Sequence, residues 1–216
     1  MGRTIRIIGK APNAAAGPGV ESWGCNDAFL RLPRDVHWDR WFDVHTKAHI
    51  QKHRPAAWRL YAKQDTSRPI YLHAHDPEIP ASVAYPLEAV QATFAWGGRD
   101  EEFFTGSVDL MMAMAILEEP PRIELYGVDL SEGHERERQR NGAHYWIGIA
   151  RGRGIDVHIP DASSLCKTER IYGYFTPASD RNFASLSLSR FLAQVEDAKR
   201  MADPAYVAPG LDTAVA

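Results

Sequence analysis

The sequence predicts an α/β fold, in which a mostly parallel β-sheet is flanked by helices. Residues 3–8 form a short β-branched run that stops at Gly9, and residues 123–128 form a second run that contains Gly127. A short run of this kind that ends abruptly in glycine is typical of a buried parallel strand. Helical patterns separate such runs along the chain, and this alternation is typical of a parallel sheet, here of five or more strands. With 216 residues, the chain is long enough for one well-cored domain.

The first half of the chain contains most of the predicted strands. After the strand at 3–8, residues 20–29 predict a short strand that runs into a polar turn. Residues 38–45 predict another buried strand, whose end carries an aspartate and a histidine. Residues 46–63 suit a helix that a proline interrupts, and residues 69–75 predict a further strand because apolar and polar side chains alternate.

The clearest predicted helix begins near residue 105, where Thr105 or Ser107 can cap its N-terminus. Two consecutive prolines stop this helix just before the strand at 123–128. A helix over 143–150 and a strand over 155–159 follow. One face of the first helix gathers apolar side chains at helical spacing: Val108, Met111, Met112, Ala115 and Ile116.

Residues 131–142 are highly charged and offer no apolar anchor to a core. We therefore expect a mobile loop there, which acts as a lid over a bound ligand. A last amphipathic helix is predicted over about 184–201, and the small residues that follow predict a frayed end. The predicted organisation is one catalytic domain over 1–203 and a tail over 204–216.

Composition excludes several classes of protein. The formal charge of −3 gives no general attraction to polyanions, so a nucleic-acid partner would need a local basic patch. Cys25 and Cys166 lie far apart, which argues against a disulfide framework or a thiolate zinc site. No leader pattern and no apolar run of membrane-spanning length is present in the sequence. We expect a cytoplasmic protein without a membrane partner.

Polar residues follow the predicted strands, at the edge where open α/β sheets bind ligands. Gly9 has no Cβ that would keep a phosphate or ribose from the backbone, and Lys10 can meet a phosphate. Asn26 and Asp27 can hydrogen-bond a ribose or a base edge, and Asp129 places a carboxylate on the same rim. These residues predict a nucleotide-type ligand.

The turn of Thr105, Gly106 and Ser107 lies at the start of a helix, where free N–H groups and the helix dipole favour an anion. Each of these patterns also has an ordinary structural interpretation as a tight turn, an Asx turn or a helix cap. The sequence contains neither the GxGxxG dinucleotide motif nor the GxxxxGK[ST] phosphate loop after its first strand. The two standard nucleotide-binding classes are therefore not supported.

Histidine supplies the possible general bases. His144 follows the predicted lid, and an imidazole titrates close to neutral pH. The rival bases are His134, inside the predicted lid, and His45, at the end of a strand beside Asp43. Three of the nine histidines (His45, His49 and His53) stand four residues apart, a spacing that is compatible with zinc. No acidic partner or HExxH pattern accompanies them, so we expect a solvated basic helix face.

Four short motifs together resemble one Rossmann-like group: Gly-x-x-Pro at 9–12, Trp-Gly-x-Asn-Asp at 23–27, Thr-Gly-Ser at 105–107 and Leu-Tyr-Gly-Val-Asp at 125–129. The group includes bacterial α-2,3-sialyltransferases that act on lipooligosaccharide and archaeal 6-hydroxymethylpterin diphosphokinase-like proteins. Uncharacterised phage and bacterial proteins are similar to the run that begins Tyr-Trp-Ile-Gly at 145. The resemblance covers about residues 5–30 and 103–175.

The resemblance implies roles for individual residues. The catalytic base of the sialyltransferases follows a mobile lid, which corresponds to His144, and their tyrosines steady the leaving phosphate without a metal. The first loop reads Gly-Lys-Ala-Pro-Asn where those enzymes favour Gly-Asn-Gly-Pro-Ser, so the resemblance does not imply sialic acid as the donor. The nucleotide and donor contacts would be Gly9, Pro12, Asn13, Asn26, Thr105, Gly106 and Ser107, and the phosphate-holding hydroxyls Tyr145, Tyr172 or Tyr174.

The first functional hypothesis is a glycosyltransferase that moves a sugar from a nucleotide-activated donor to a hydroxyl acceptor. A modified base in phage DNA is one acceptor that the similarity to phage proteins implies. A phage-encoded protein would then act in the host cytoplasm. Arginines that could touch DNA phosphates are Arg136, Arg138, Arg140, Arg151 and Arg153.

Two alternatives remain open. One is a pyrophosphokinase of the hydroxymethylpterin type, whose Mg²⁺ would be held by Asp129 with Asp27 or Asp43. The other is a module that binds a nucleotide without turning it over. The glycosyltransferase hypothesis needs no cofactor besides its nucleotide-sugar substrate.

Overall fold

The computed structural model describes residues 2–11, 19–30, 37–64, 66–94, 103–130 and 134–167. All of them belong to one unit, Met1–Lys167. The strands are β1 (Thr4–Ile8), β2 (Glu21–Cys25), β3 (Arg40–Asp43), β4 (Ile70–Leu72), β5 (Ser82–Ala84), β6 (Arg122–Tyr126) and β7 (Asp156–His158). The helices are α1 (Lys47–His53), α2 (Pro55–Tyr61), α3 (Leu87–Phe94), α4 (Ser107–Leu117) and α5 (His134–Gly152), with a 3₁₀ turn at Ala28–Leu30.

Among these residues, seven parallel strands form one sheet in the order β5-β4-β3-β2-β1-β6-β7. The chain builds outward from β1 to β5 and then returns to place β6 on the other side of β1. In register, Ile7 lies opposite Trp23 of β2 on one side and Leu125 of β6 on the other. The strand order reverses between β1 and β6, and open α/β sheets bind ligands at such a reversal. The predicted α/β class with a parallel sheet is confirmed.

Two hydrophobic cores cover the two faces of the sheet. In β3, the Phe42 side chain belongs to the larger core, with α3, α4 and α5, whereas the neighbouring Trp41 belongs to the smaller one, with α1 and α2. This alternation is what a strand buried on both faces requires, because successive side chains point in opposite directions. Helices α1 and α4 therefore lie on opposite faces of the sheet.

The ends of β1 and β6 approach each other closely at two glycines. A Cβ added to Gly9 would lie 2.2 Å from the backbone oxygen of Gly127, a distance that atoms do not tolerate. Gly127 itself has φ +67°, in the region that favours glycine. The backbone N–H of Ala11 then donates to Gly127 O at 2.9 Å. Packing between strand ends thus explains Gly9, whereas the sequence interpretation assigned its missing Cβ to ligand approach.

Helix α4 differs from its prediction in two respects. Gly106 is the N-cap, rather than Thr105 or Ser107. Every residue from Met111 to Ile116 is buried, so the helix is apolar on all sides, whereas the prediction gave it one apolar face. The cause is its position between the sheet and α5, which leaves this part of the helix no solvent face.

The predicted loop at 131–142 is wrong for residues 134–142, which form the first half of the 19-residue helix α5. Charge density indicated a loop, yet the helix of the apolar residues that follow extends back through this segment. The proline of the predicted helix at 46–63 starts α2 at its first position, which suits a residue without an N–H. Strand β5 and helix α3 had no prediction.

Several predictions lie outside the described residues. They concern Pro12, Asn13, Tyr172, Tyr174, the helix at 184–201 and the tail at 204–216. The domain boundary at residue 203 also stays a prediction. Over the part of the chain that the structure describes, no helix combines the length and apolarity that crossing a membrane requires.

Candidate active site

A cleft of about 850 Å³ opens over the carboxyl ends of β1, β2, β3 and β6. Its floor is the strand-end segments, one wall is α1, and the other wall is the start of α4 with part of α5. The reversal of strand order therefore lies within the cleft. The lining comprises segments 9–11, 25–27, 105–109 and 127–130, with His45, His49, His53, Arg54 and Gln139.

Most of the sequence-predicted site residues that the structure describes meet in this cleft. The prediction that polar groups after different strands would meet at one sheet edge holds for them. His144 and Tyr145 are described but do not line it. The predicted residues that line the cleft are Gly9, Lys10, Asn26, Asp27, His45, Thr105, Gly106, Ser107 and Asp129.

Lys10 and Asp27 form an ion pair on the cleft floor. Burial alone would raise the pKa of Asp27, but the hydrogen bond and the charge of Lys10 outweigh burial and hold that pKa below its ordinary value. The lysine side chain remains one-third exposed. The pair therefore fixes an ammonium group in the cleft, where an anion can reach it.

Asn26 joins the floor of the cleft to its α4 wall. Its side-chain N–H donates to Ser107 Oγ at 3.1 Å, while its backbone oxygen accepts from Trp41 Nε1 and Tyr61 Oη at 2.9 and 2.8 Å. The residue adopts φ +54°, which asparagine tolerates better than most side chains. An Asx turn was the ordinary interpretation of this position, but the side chain instead bonds across the cleft and positions a hydroxyl at the start of α4.

The end of β3 carries an aspartate–histidine pair. Asp43 is fully buried, and its Oδ1 lies 2.8 Å from Nδ1 of His45 and 3.1 Å from an Arg54 nitrogen. Its Oδ2 accepts from Tyr61 Oη at 3.1 Å. A carboxylate held beside a guanidinium accepts hydrogen bonds, so Nδ1 of His45 donates the proton and Nε2 is left as the basic nitrogen.

His45 continues into a stack of three imidazoles, which we call the histidine ladder: His45, His49 and His53. Successive ring centroids lie 4.7 Å apart, with interplanar angles of 17° and 43°. All three rings line the cleft along the α1 wall. His49 and His53 are exposed, as the sequence interpretation of a solvated helix face expected, and this exposed face forms one wall of the open cleft.

The opposite wall is held by Asp109, at the third position of α4. Its Oδ2 accepts from Thr105 N and Thr105 Oγ1, both at 2.7 Å, and from Gly106 N at 3.0 Å. Its Oδ1 is buried without a hydrogen-bond partner among the described residues. A Cβ on Gly142 of α5 would lie 2.4 Å from Oδ2, so the carboxylate is enclosed by α5. Asp109 therefore fixes the turn that enters the cleft.

Asp109 should make folding stability depend on pH. Burial raises its pKa from 3.8 to about 6, so the folded protein binds this proton more tightly than the unfolded chain does. The contribution of Asp109 to stability should consequently be complete below about pH 4 and be lost as the pH rises to about 6. Asp109→Asn keeps an acceptor oxygen but removes the titrating group. Between pH 4 and pH 7, its free energy of unfolding in urea should therefore change by a value that differs from that of the unchanged protein by about 3 kcal/mol, the contribution of Asp109. Equal pH dependence in both proteins would contradict the shift.

The remaining predicted residues have other partners. His144 Nε2 accepts from the backbone N–H of Cys166 at 3.2 Å, and burial followed by the charge of Arg140 lowers the pKa of this histidine. The Tyr145 ring stacks on Phe103 with centroids 4.4 Å apart. Asp129 Oδ1 accepts from Ser164 N at 2.7 Å. The roles predicted for His144 and Tyr145 stay predictions, and Asp129 lies on the rim of the cleft.

The carboxylates named for a magnesium site are each engaged with protein groups. Asp27 pairs with Lys10, Asp43 with His45 and Arg54, and Asp129 with Ser164. Within the described ranges, no three histidine, cysteine or acidic side chains are grouped as metal ligands.

Sequence reasoning missed three residues of this site. Asp109 carried a signal, because an acidic residue at the third position of a helix commonly caps it. Arg54 and Tyr61 carried none, because only the packing of α1 and α2 against β3 brings them to Asp43.

The sequence matches no protein-family model and no curated protein. Solved structures of similar fold are of the sialyltransferase CstII from Campylobacter jejuni. Its complex with cytidine-5'-monophosphate has 14% identity and a TM-score of 0.49, covering 86% of this chain and 99% of that one. Its complex with the substrate analogue CMP-3FNeuAc has 14% identity and a TM-score of 0.47, covering 76% and 80%.

A further structure, of the sialyltransferase CST-II with a trisaccharide acceptor and CMP, has 13% identity and a TM-score of 0.47, covering 84% of this chain and 99% of that one. These neighbours are sialyltransferases, the group that the sequence motifs resemble.

Proposed function

We propose that this protein is a transferase that moves a sugar from a nucleotide-activated donor to a hydroxyl acceptor. The observation that carries the proposal is the Asp43–His45 pair, which places a basic imidazole nitrogen in a cleft at the reversal of strand order. Such a histidine can take the proton of an attacking hydroxyl. The same cleft holds an ammonium group and a helix start, which suit a departing phosphate.

The donor nucleotide would lie along the floor and the α4 wall. Lys10 offers a charge to the phosphate, and the N–H groups of Ser107 and Val108, at the first two positions of α4, precede the first hydrogen bonds of the helix. Ser107 and Asn26 form a hydroxyl–amide pair that can hydrogen-bond a ribose or a base edge. Gly9 would contribute backbone to the floor. Thr105 would act through its bonds to Asp109.

The reaction would be a direct displacement. Nε2 of His45 removes the proton from the acceptor hydroxyl as its oxygen bonds to the anomeric carbon of the sugar. The bond from that carbon to the phosphate oxygen breaks, and the nucleotide leaves with the electron pair. Asp43 stabilises the imidazolium that forms, and Lys10 with the α4 N–H groups stabilises the leaving phosphate. Tyr172 and Tyr174 stay predicted phosphate ligands.

This assignment moves the proposed base from His144 to His45. The reason is position, because His45 lines the cleft and has a buried carboxylate behind it, whereas His144 bonds to a backbone N–H outside the lining. Asp129 lines the rim of the cleft and takes no part in this proton transfer.

DNA is not favoured as the acceptor. Arg140 donates to Asp129 O and to Ser164, Arg151 donates to Val157 O, and Arg153 lies over the Phe94 ring. These three arginines, which the sequence offered as phosphate contacts, therefore already have protein partners. No observation favours the pyrophosphokinase either, since the carboxylates that would hold its Mg²⁺ are already bonded to protein groups.

A thermal-shift screen of the whole chain against nucleotides and nucleotide sugars tests the proposal. A ligand that binds only the folded state raises the melting temperature, and we expect stabilisation by at least one nucleotide in excess EDTA. In Lys10→Gln the affinity for that nucleotide should fall by about tenfold or more, with Lys63→Gln as the control on an exposed lysine outside the cleft.

The same screen separates the alternatives. Stabilisation that requires Mg²⁺ would favour the pyrophosphokinase. NMR can monitor whether a nucleotide sugar is consumed, with and without simple alcohols as hydroxyl acceptors. A nucleotide sugar that binds but is not consumed would favour a binding module. No stabilisation by any nucleotide would contradict the proposal.

A further inference from the structure

The histidine ladder extends beyond the one imidazole that proton transfer needs. His45 is the rung with a carboxylate partner, and His49 and His53 continue along α1 with their rings in the cleft. On the proposed function, we propose that His49 and His53 form an anion subsite that binds a phosphate group carried by the acceptor. The acceptor would therefore be a phosphorylated compound.

Position supports an acceptor site rather than a second donor site. The acceptor hydroxyl has to reach His45 if this residue is the base, and the other two rungs lie one and two ring spacings of 4.7 Å away. Lys10 and the start of α4 belong to other parts of the cleft, after β1 and on the opposite face of the sheet. A molecule with its hydroxyl at His45 can thus place a nearby phosphate on His49 and His53.

The geometry of the ladder favours an anion over a metal ion. The His45 and His49 rings are nearly parallel, at 17°, and stacked rings do not aim their nitrogens at one point. In the described part of the chain, no metal-binding group of three such side chains occurs. The His49 and His53 rings are tilted by 43° with their centroids 4.7 Å apart, so N–H donors of the two rings can bond to different oxygens of one phosphate.

Charge around the ladder ties phosphate binding to proton uptake. The groups that act on His49 are His45 and His53 on the ladder, Arg54 at the start of α2, and Asp43 on β3. Burial, and then the positive charges of these neighbours, lower the pKa of His49, while Asp43 opposes them. In the free protein, His49 is therefore protonated less readily than an ordinary histidine. A bound phosphate would favour the charged rings, so its affinity should rise as the pH falls.

Titration of the full-length protein with inorganic phosphate, followed by the NMR signals of the histidine ring protons, tests this inference. At pH 6 we expect phosphate to shift the His49 and His53 signals. Its affinity should rise by up to about tenfold per pH unit between pH 7.5 and pH 6 for each proton taken up. His49→Gln/His53→Gln should weaken it by about tenfold or more, and His73→Gln, on an exposed histidine outside the cleft, should leave it unchanged.

Two further arms identify the source of the phosphate. Hexose 6-phosphate is compared with the unphosphorylated hexose, and a short single-stranded oligonucleotide represents nucleic acid. Ladder-dependent binding of the hexose 6-phosphate supports a sugar-phosphate acceptor, whereas ladder-dependent binding of the oligonucleotide alone supports a nucleic-acid acceptor.

Phosphate binding that is independent of pH, or unaffected by the double substitution, overturns the inference. The nucleotide screen with Lys10→Gln is read separately from the phosphate titration. If phosphate binds the ladder while no nucleotide binds the protein, the proposed function fails, and the assignment of the phosphate to an acceptor fails with it. If a nucleotide binds normally but phosphate binding does not depend on His49 and His53, only this inference fails.

Discussion

Replacing His45 by alanine should lower the turnover number by about 10²–10⁴-fold and leave nucleotide affinity nearly unchanged. The side chain lines the cleft, and its Nδ1 lies 2.8 Å from the buried Asp43 carboxylate, so its Nε2 is the proposed acceptor of the substrate proton. A base that acts only as the proton moves contributes to the transition state rather than to binding of the donor. The loss should therefore appear in kcat.

The measurement is steady-state turnover of the nucleotide sugar that the screen identifies, with nucleotide affinity determined separately by titration. His144→Ala is the matched control, since this histidine does not line the cleft and bonds to the Cys166 N–H. If His144→Ala abolishes turnover while His45→Ala retains it, the base lies where the sequence resemblance placed it. Retention of turnover by both variants would remove histidine base catalysis altogether.

Replacing Gly9 by valine should destabilise the fold by about 3 kcal/mol or more, because no side chain fits at this position. The new Cβ would meet Gly127 O at 2.2 Å and Gly127 C at 2.8 Å, and both are backbone atoms that cannot rotate away. These contacts join β1 to β6 in the middle of the sheet. The clash with Gly127 could be removed only if the ends of β1 and β6 moved apart.

Urea unfolding of the variant measures this effect. Gly148→Ala is the control, since a Cβ there meets nothing within 4 Å and the residue lies in α5. That substitution should stabilise the protein by about 0.5–1 kcal/mol, as alanine favours a helix over glycine. A Gly9→Val protein of normal stability that no longer binds nucleotide would restore the interpretation of Gly9 as a position of ligand approach.

The sequence predicted the elements whose patterns are local. Strands β1 and β6 are short runs rich in isoleucine and leucine, each followed by glycine, so their type and their parallel arrangement could be inferred. Strand β5 has only three residues, two of them exposed, and such a strand leaves no periodic pattern. The first half of α5 was predicted as a loop because its charged residues mask a helix that continues into an apolar half.

The site residues that could be predicted from the sequence are those that directly follow a predicted strand. Residues that directly follow strands, such as Lys10 and Asn26, were placed at the sheet edge and meet in the cleft. The Asp43–His45 contact also had a signal, since residues two apart on a strand share a face. Arg54 reaches Asp43 only through the packing of α1 and α2, a long-range arrangement that no local pattern encodes.

The two walls of the cleft rest on different hydrophobic cores. The α4 wall stands on the larger core and the α1 wall on the smaller one. We expect substitutions at Ile50 or Ala57, beneath the α1 wall, to shift the ladder without moving the start of α4. On the proposed function, the wall on the smaller core serves the acceptor, so substitutions meant to change the acceptor alone should begin in that core.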